Sequence, residues 1–172
     1  WVGGFLNSFT YKGITFSFLI DYKLGNKMLS GTNFNAIRHG LHKMTLEGRE
    51  NGIIGKGVSV TGGENTKAVF PVDQYWGYLR SQSMMEDVIY NGGYWKLRQI
   101  TLGYDLTKFV PGKWPVKGIK LNLVANNVLI IKKWVDNIDP ETFGYSSDNL
   151  VGLESTGLPS TRGIGVNLNI KF

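Results

Sequence analysis

The sequence predicts an all-β fold: about five antiparallel strands forming one segment of a larger transmembrane β-barrel, with long extracellular loops that contain short helices. Three observations carry that expectation. The last stretch, Gly163 to Phe172, alternates strictly, with Ile164, Val166, Leu168, Ile170 and Phe172 on one parity and Gly165, Asn167, Asn169 and Lys171 on the other. Successive strand side chains point to opposite faces, so this strand has one apolar face and one wet face. The second observation is that Ile14 to Leu24 repeats the pattern over the ~9 to 11 residues of a tilted membrane strand. The third is that short and long connections between strands alternate, as the two sides of an outer-membrane barrel require.

The composition fits. Of 172 residues, 42% are hydrophobic, 13% aromatic and only 19% charged, with 23 glycines, a mixture that suits strands, tight turns and interfacial rings. No run approaches the ~18 to 20 apolar residues of a spanning helix, so insertion into a membrane has to use strands. The lack of cysteine excludes a disulfide framework and any Cys-based metal site. With neither an initiator Met nor a signal peptide, the chain reads as an internal or C-terminal piece of a longer protein. Net charge is +6, but Lys and Arg are scattered rather than gathered in a stripe, so no nucleic-acid partner is expected.

The first strand sets Phe5, Asn7, Phe9 and Tyr11 opposite Leu6, Ser8 and Thr10, and Lys12-Gly13 is a short turn. In the second, Ile14, Phe16, Phe18, Ile20, Tyr22 and Leu24 share a face, with Asp21 and Lys23 on the other. From Gly25 to Gly93 the alternation lapses. Thr32 to Met44 has helical character, Gly52 to Val60 reads as a small hairpin, and Pro71 to Arg80 as a short helix with proline near its start. So long a gap between strands needs a functional explanation, which an external loop supplies. The third strand, Tyr94 to Leu106, has Ile100, Leu102, Tyr104 and Leu106 opposite Gln99, Thr101, Gly103 and Asp105. Lys96 and Arg98 fall on its apolar parity. That is expected only if this end stands above the hydrocarbon, because a basic residue at mid-bilayer costs ~2 to 4 kcal/mol. After a turn with Pro111, Gly112 and Pro115, the fourth strand sets Ile119, Leu121, Leu123 and Ala125 against Lys120, Asn122, Val124 and Asn126. A second long loop, about Lys132 to Thr161, leads to the final strand.

These parities name the side chains expected to face lipid: Ile14, Phe16, Phe18, Ile20 and Tyr22; Ile100, Leu102 and Tyr104; Ile119, Leu121 and Leu123; Ile164, Val166, Leu168 and Ile170. With a periplasmic C-terminus, both long loops lie outside and both short turns inside. Tyr11, Tyr104, Phe109, Trp114 and Phe172 then gather at the inner rim and Tyr94, Trp95 and Trp134 at the outer one, as two aromatic girdles.

Several stretches, taken as a set, resemble the C-terminal end of the SusC/RagA family, the TonB-dependent outer-membrane transporters of Bacteroidetes. They are Y-W-K-L-R-Q-I-T-L-G-Y-D-L (94–106), N-L-V-A-N-N-V-L (122–129), N-I-D-P-E (137–141) and P-S-T-R-G-I-G-V-N-L-N-I-K-F (159–172). The opening strand pair and S-G-T-N at 30–33 are also similar. The resemblance implies a barrel of about 22 strands with a plugged lumen in the outer membrane of a Gram-negative bacterium. It further implies import of glycans or peptides powered through TonB, with a SusD-like surface lipoprotein as lid. Thr107 stands where the family often has proline, and the plug and TonB-contacting segment, N-terminal in the family, are absent from this sequence. Five strands cannot close a barrel, the small natural ones having about eight, so the expected partners include the rest of the barrel and its plug as well as the lipid bilayer. Phe172 is the expected assembly signal for the barrel-insertion machinery.

No catalytic constellation stands out, and no enzyme activity is expected. His39 and His42 have only Glu47 near them as a third ligand, so exposed loop histidines are the expectation. Asp136, Asp139, Glu141 and Asp148 fit no EF-hand spacing, and Asp-Pro commonly opens a turn; no metal or other cofactor is expected. Gly55-Lys56-Gly57 and Gly62-Gly63 are too sparse for a phosphate loop, and Glu86 and Asp87, as strand neighbours, would face opposite ways. Tyr75, Trp76 and Tyr78 in Q-Y-W-G-Y-L are the candidate substrate-binding residues, since aromatic faces pack on sugar C–H faces and peptide side chains. The same three rings also suit anchoring of the loop on its own barrel or on the lid. The expected function is nutrient import; the alternatives are a passive porin or adhesin barrel and a soluble β-sandwich binding module.

Overall fold

The computed structural model describes residues 1–70, 85–142 and 149–172. Its strands in chain order are β1 (Val2–Tyr11), β2 (Ile14–Lys23), β3 (Lys27–Ser30), β4 (Ile53–Ile54), β5 (Ala68–Val69), β6 (Ile89–Asn91), β7 (Tyr94–Asp105), β8 (Gly118–Lys133), β9 (Leu153–Glu154) and β10 (Gly163–Lys171). One α-helix, α1 (Gly31–Arg38), occurs among the described residues. The chain divides into two units: Trp1–Asn26 with Asn91–Thr142 and Leu158–Phe172, and Lys27–Tyr90 with Phe143–Gly157.

The first unit is a five-stranded antiparallel sheet in the order β1-β2-β7-β8-β10, the expected barrel segment. Lys12 and Gly13 join β1 to β2 with φ of 47° and 85°, a primed turn whose twist matches the strands it connects. The β7–β8 connection lies at the same end and is closed by the Leu106 N–H on the Ile119 carbonyl (2.9 Å). The β2–β7 and β8–β10 connections, both long, leave from the opposite end, so the alternation of short and long holds.

Register decides which side chains share a face. Ile14, Phe16 and Phe18 lie opposite Tyr104, Leu102 and Ile100; Tyr104 and Leu102 lie opposite Leu121 and Leu123. Ile119, Leu121 and Leu123 in turn lie opposite Ile170, Leu168 and Val166. One apolar face therefore crosses β2, β7, β8 and β10, and Phe5, Phe9 and Tyr11 extend it onto β1. A soluble sandwich would cover such a face with a second layer, yet Ile164 is 82% and Leu168 56% accessible. The other face carries polar rows such as Thr10–Thr15–Gly103–Asn122–Asn167.

The alternation breaks at Arg98. Leu19 pairs with Gln99 and Ile20 with Leu97, so Arg98 is an extra residue in the ladder, and β8 has its own irregularities between Asn126 and Leu129 and between Ile130 and Lys132. A bulge moves every later side chain to the other face. Trp95 and Leu97 thereby join the apolar face opposite Tyr22 and Ile20, while Lys96 and Tyr94 turn to the polar one. This corrects the expectation that Lys96 and Arg98 occupy the apolar face above the hydrocarbon. It also revises the outer girdle: Tyr94 is buried, and Phe5 and Tyr22 accompany Trp95 instead, with ring centroids 6.2 and 4.6 Å from it.

In the second unit a three-stranded sheet, ordered β6-β3-β9, sets β3 and β9 parallel with Leu29 beside Leu153. Ser30 caps α1, its Oγ accepting from the Asn33 N–H (3.0 Å), so the helix opens one residue before the expected helical stretch and ends within it. Ile37 and Val88 form a small core with Leu29, Phe34, Met44, Met85 and Tyr90 against it. The expected Gly52–Val60 hairpin is larger: Ile53 pairs with Val69, and the chain reverses at Ser59–Gly63, where Gly62 and Gly63 supply the positive φ a turn needs. The expected Pro71–Arg80 helix lies outside the described residues. No described helix is long and apolar enough to cross a membrane, which says nothing of strands.

Candidate functional site

The bulge places Lys96 and Arg98 on the polar side of β7, at the end from which the long connections leave. Lys96 is 2% accessible, and an ammonium that deep is costly unless it is paired and hydrogen-bonded. It donates to both Asp139 oxygens (2.7 and 3.0 Å) and to Glu141 Oε2 (2.7 Å). Arg98 engages its whole fork. Nε and Nη2 donate to Asp21 Oδ2 (2.8 and 2.5 Å), Nη1 to Asn127 Oδ1 and Glu141 Oε2 (both 2.9 Å), and Nη2 also to Glu141 Oε1 (2.7 Å).

Local sequence builds the receiving side. Asn127 sits in the left-handed region (φ 49°), which Asn tolerates better than most residues, and its carboxamide also donates to the Thr161 carbonyl (2.9 Å). In N-I-D-P-E, Asp139 Oδ1 accepts from the Glu141 N–H (3.1 Å) and the Thr142 N–H reaches the Asp139 carbonyl (3.0 Å), a compact Asp-Pro turn. Ser160 donates to Asp139 Oδ2 through its N–H (3.3 Å) and its hydroxyl (2.5 Å). Burial pushes both carboxyls up, but it is outweighed. Hydrogen bonds from Lys96 and Ser160 hold Asp139, and those from Arg98 and Lys96 hold Glu141, below the usual carboxylate range. Both are therefore ionised near neutral pH, an arrangement suited to fastening chain segments together rather than to exchanging protons. A cavity of about 340 Å³ adjoins it, lined by Lys96, Asn127, Lys133, Asp139, Ser160 and Arg162 among others.

The second unit has its own buried carboxylate. Glu154, 1% accessible, accepts from the Ser30 hydroxyl (2.9 Å), the Thr32 N–H (2.9 Å) and the Thr32 hydroxyl (2.7 Å), fixing the start of α1. That gives S-G-T-N a structural purpose.

No protein-family model matches the chain. It is 27% identical over 175 residues to TonB-dependent receptor P39 of Formosa agariphila, covering 99% of this chain and 16% of that protein. TonB-dependent receptor P3 of the same organism is 27% identical over 100 residues, covering 55% and 10%. The chain thus spans a small part of these relatives. Among solved structures, the RagAB peptide importer in its open-open state superposes with a TM-score of 0.67 at 18% identity, covering 99% of this chain and 17% of that one. The RagAB peptide transporter gives 0.61 at 16% identity, covering 97% and 16%. The chain is similar in sequence to TonB-dependent receptors and has the fold of the matching part of the RagAB importer.

In the five-stranded sheet, the side chains expected to face lipid on β2, β7, β8 and β10 do share one apolar face. Phe172 is exposed just beyond β10. Tyr75, Trp76 and Tyr78 lie outside the described residues, as does Asp148. Asp139 and Glu141 bond to Lys96 and Arg98, and among the described residues no group of three acidic, His or Cys side chains is placed to hold a metal. His39 is exposed, but His42 is buried, correcting the expectation for that residue: its Nδ1 accepts from the Met44 N–H (3.3 Å) at the start of a single helical turn. Glu86 and Asp87 open another such turn instead of standing in a strand. Sequence reasoning missed the ion cluster. The signal was present in two cations on the apolar parity of β7 and in an Asp-Pro-Glu run with no assigned partner.

Proposed function

We propose that this segment is wall and outer-loop material of an outer-membrane, TonB-dependent nutrient importer. The observation that carries the proposal is the exposed apolar face continuous across five strands. In hydrocarbon that face is at home, whereas in water it would be a large sticky patch. On this reading the bilayer covers the apolar face, the polar face lines the lumen, the C-terminus is periplasmic and the long connections lie outside. The rest of the barrel and its plug complete the wall, and the barrel-insertion machinery reads Phe172. TonB acts through the N-terminal part, and a SusD-like lipoprotein closes the mouth. The names of the similar proteins support TonB-dependent import. The cargo is a glycan or a peptide, with Tyr75, Trp76 and Tyr78 as contacts, and no catalytic step is assigned to any residue.

The test is uptake of labelled oligopeptides and oligosaccharides by cells carrying the full-length protein, with and without TonB. Uptake that stops when TonB is removed supports the importer. Uptake that continues unchanged without TonB means a passive pore and overturns the proposal.

A further inference from the structure

We infer that Lys96 and Arg98 are positioning residues that pin both ends of the second long connection, residues 134–162, to one spot on the polar face of the sheet. The departing end is held where Asp139 and Glu141 meet Lys96 and Arg98. The returning end is held where Ser160 bonds to Asp139 and Thr161 to Asn127, which itself accepts from Arg98. The two ends are 21 residues apart in sequence at Asp139 and Ser160, yet share a single carboxylate oxygen, Asp139 Oδ2. Asp21 of β2 anchors Arg98 from the other side, so the wall supplies a rigid socket from two strands.

The donor count shows a closed fitting. Lys96 has three N–H bonds and Arg98 five, and carboxylate and carboxamide oxygens from Asp21, Asn127, Asp139 and Glu141 meet them. A buried ammonium loses these contacts only by finding replacements, and water does not reach it readily at 2% accessibility. The bulge belongs to the same device. Without the extra residue at Arg98, the ladder has no place for a guanidinium that reaches Asp21 and Glu141 together. The connection therefore leaves and rejoins the wall through a fixed base, and this inference does not depend on what the protein transports.

Hydrogen exchange read by mass spectrometry on the full-length protein in detergent tests it. Lys96→Met is expected to speed exchange about tenfold or more in peptides covering 137–142 and 159–162 together, with 119–125 unchanged. Where Lys96→Met does not accumulate, Asp139→Asn keeps the side-chain shape and carries the same expectation at 159–162. Unchanged exchange, or a change confined to one of the two peptides, overturns the inference whether or not the protein imports anything.

Discussion

At the short-turn end of the sheet, Ile14, Tyr104, Leu121 and Leu168 stand in one row across four strands, and parity alone assigns every face. At the long-connection end the ladder takes in an extra residue at Arg98 and further ones in β8, and parity assigns Lys96 and Trp95 to the wrong sides. The same strand, β7, obeys both regimes within 12 residues. Alternation is a local inference that holds as long as the partner strand advances in step, and a bulge is where it stops doing so. The two ends also stabilise the sheet differently, one by leaving apolar side chains to the surrounding medium, the other by a buried set of ion pairs.

The largest expected contrast comes from removing a cation at each end. Lys96→Met leaves the buried Asp139 without its cation and should cost about 3 to 5 kcal/mol in urea unfolding of the membrane-assembled protein. Lys120→Met, an exposed residue on the same polar face at the other end, should change stability by less than about 0.5 kcal/mol. Comparable losses from both would erase the distinction.

Next in size is the facing of the regular end. Leu168→Arg should cost about 2 to 4 kcal/mol and lower the amount recovered from outer membranes, while Asn167→Arg on the polar row should not. Equal recovery would mean the apolar face does not meet lipid.

Acidity should separate the ends as well. Asp139 and Glu141, facing Lys96, Arg98 and Ser160, have folded-state pKa values depressed below those of the unfolded chain. Their stabilisation is therefore fully present above the ordinary carboxylate range and is lost as pH falls through the depressed values. Exchange at 137–142 should stay slow from neutral pH down into that range and accelerate only below it, after correction for intrinsic rates. Loosening between pH 7 and 6 would contradict the pairing.

The smallest effect is a matched pair at two left-handed residues. Lys12→Gly, in the regular turn, should stabilise by up to about 1 kcal/mol, because among the described residues no hydrogen bond from the Lys12 side chain offsets its φ of 47°. Asn127→Gly, with nearly the same φ, should instead destabilise by about 1 kcal/mol, since its carboxamide ties Arg98 to Thr161. Thermal unfolding of the two variants side by side decides it.

Much of the wall was legible in the sequence. Gly163 to Lys171 and Ile14 to Lys23 appear as strands where the alternation marks them, and Lys12-Gly13 turns where only residues tolerant of positive φ are comfortable. The loop body was read less well. The β4–β5 hairpin closes farther along than expected because Gly62-Gly63 gives the tighter reversal, and His42 is buried by its turn although histidines in loops usually face water. The ion cluster was not read at all. Its carboxylates lie 43 to 77 residues from their cations, beyond any spacing rule.

The alternation of large apolar and polar side chains, by itself, determined that this chain forms strands with one apolar and one polar face. That follows because a pleated backbone sends neighbours to opposite sides whatever lies around it. Only the tertiary structure decided where the pleat slips, which face receives Lys96 and Arg98, and which distant carboxylates meet them. A bulge is settled by what the neighbouring strand and the returning chain can pair with, and those partners are adjacent only once the sheet is built.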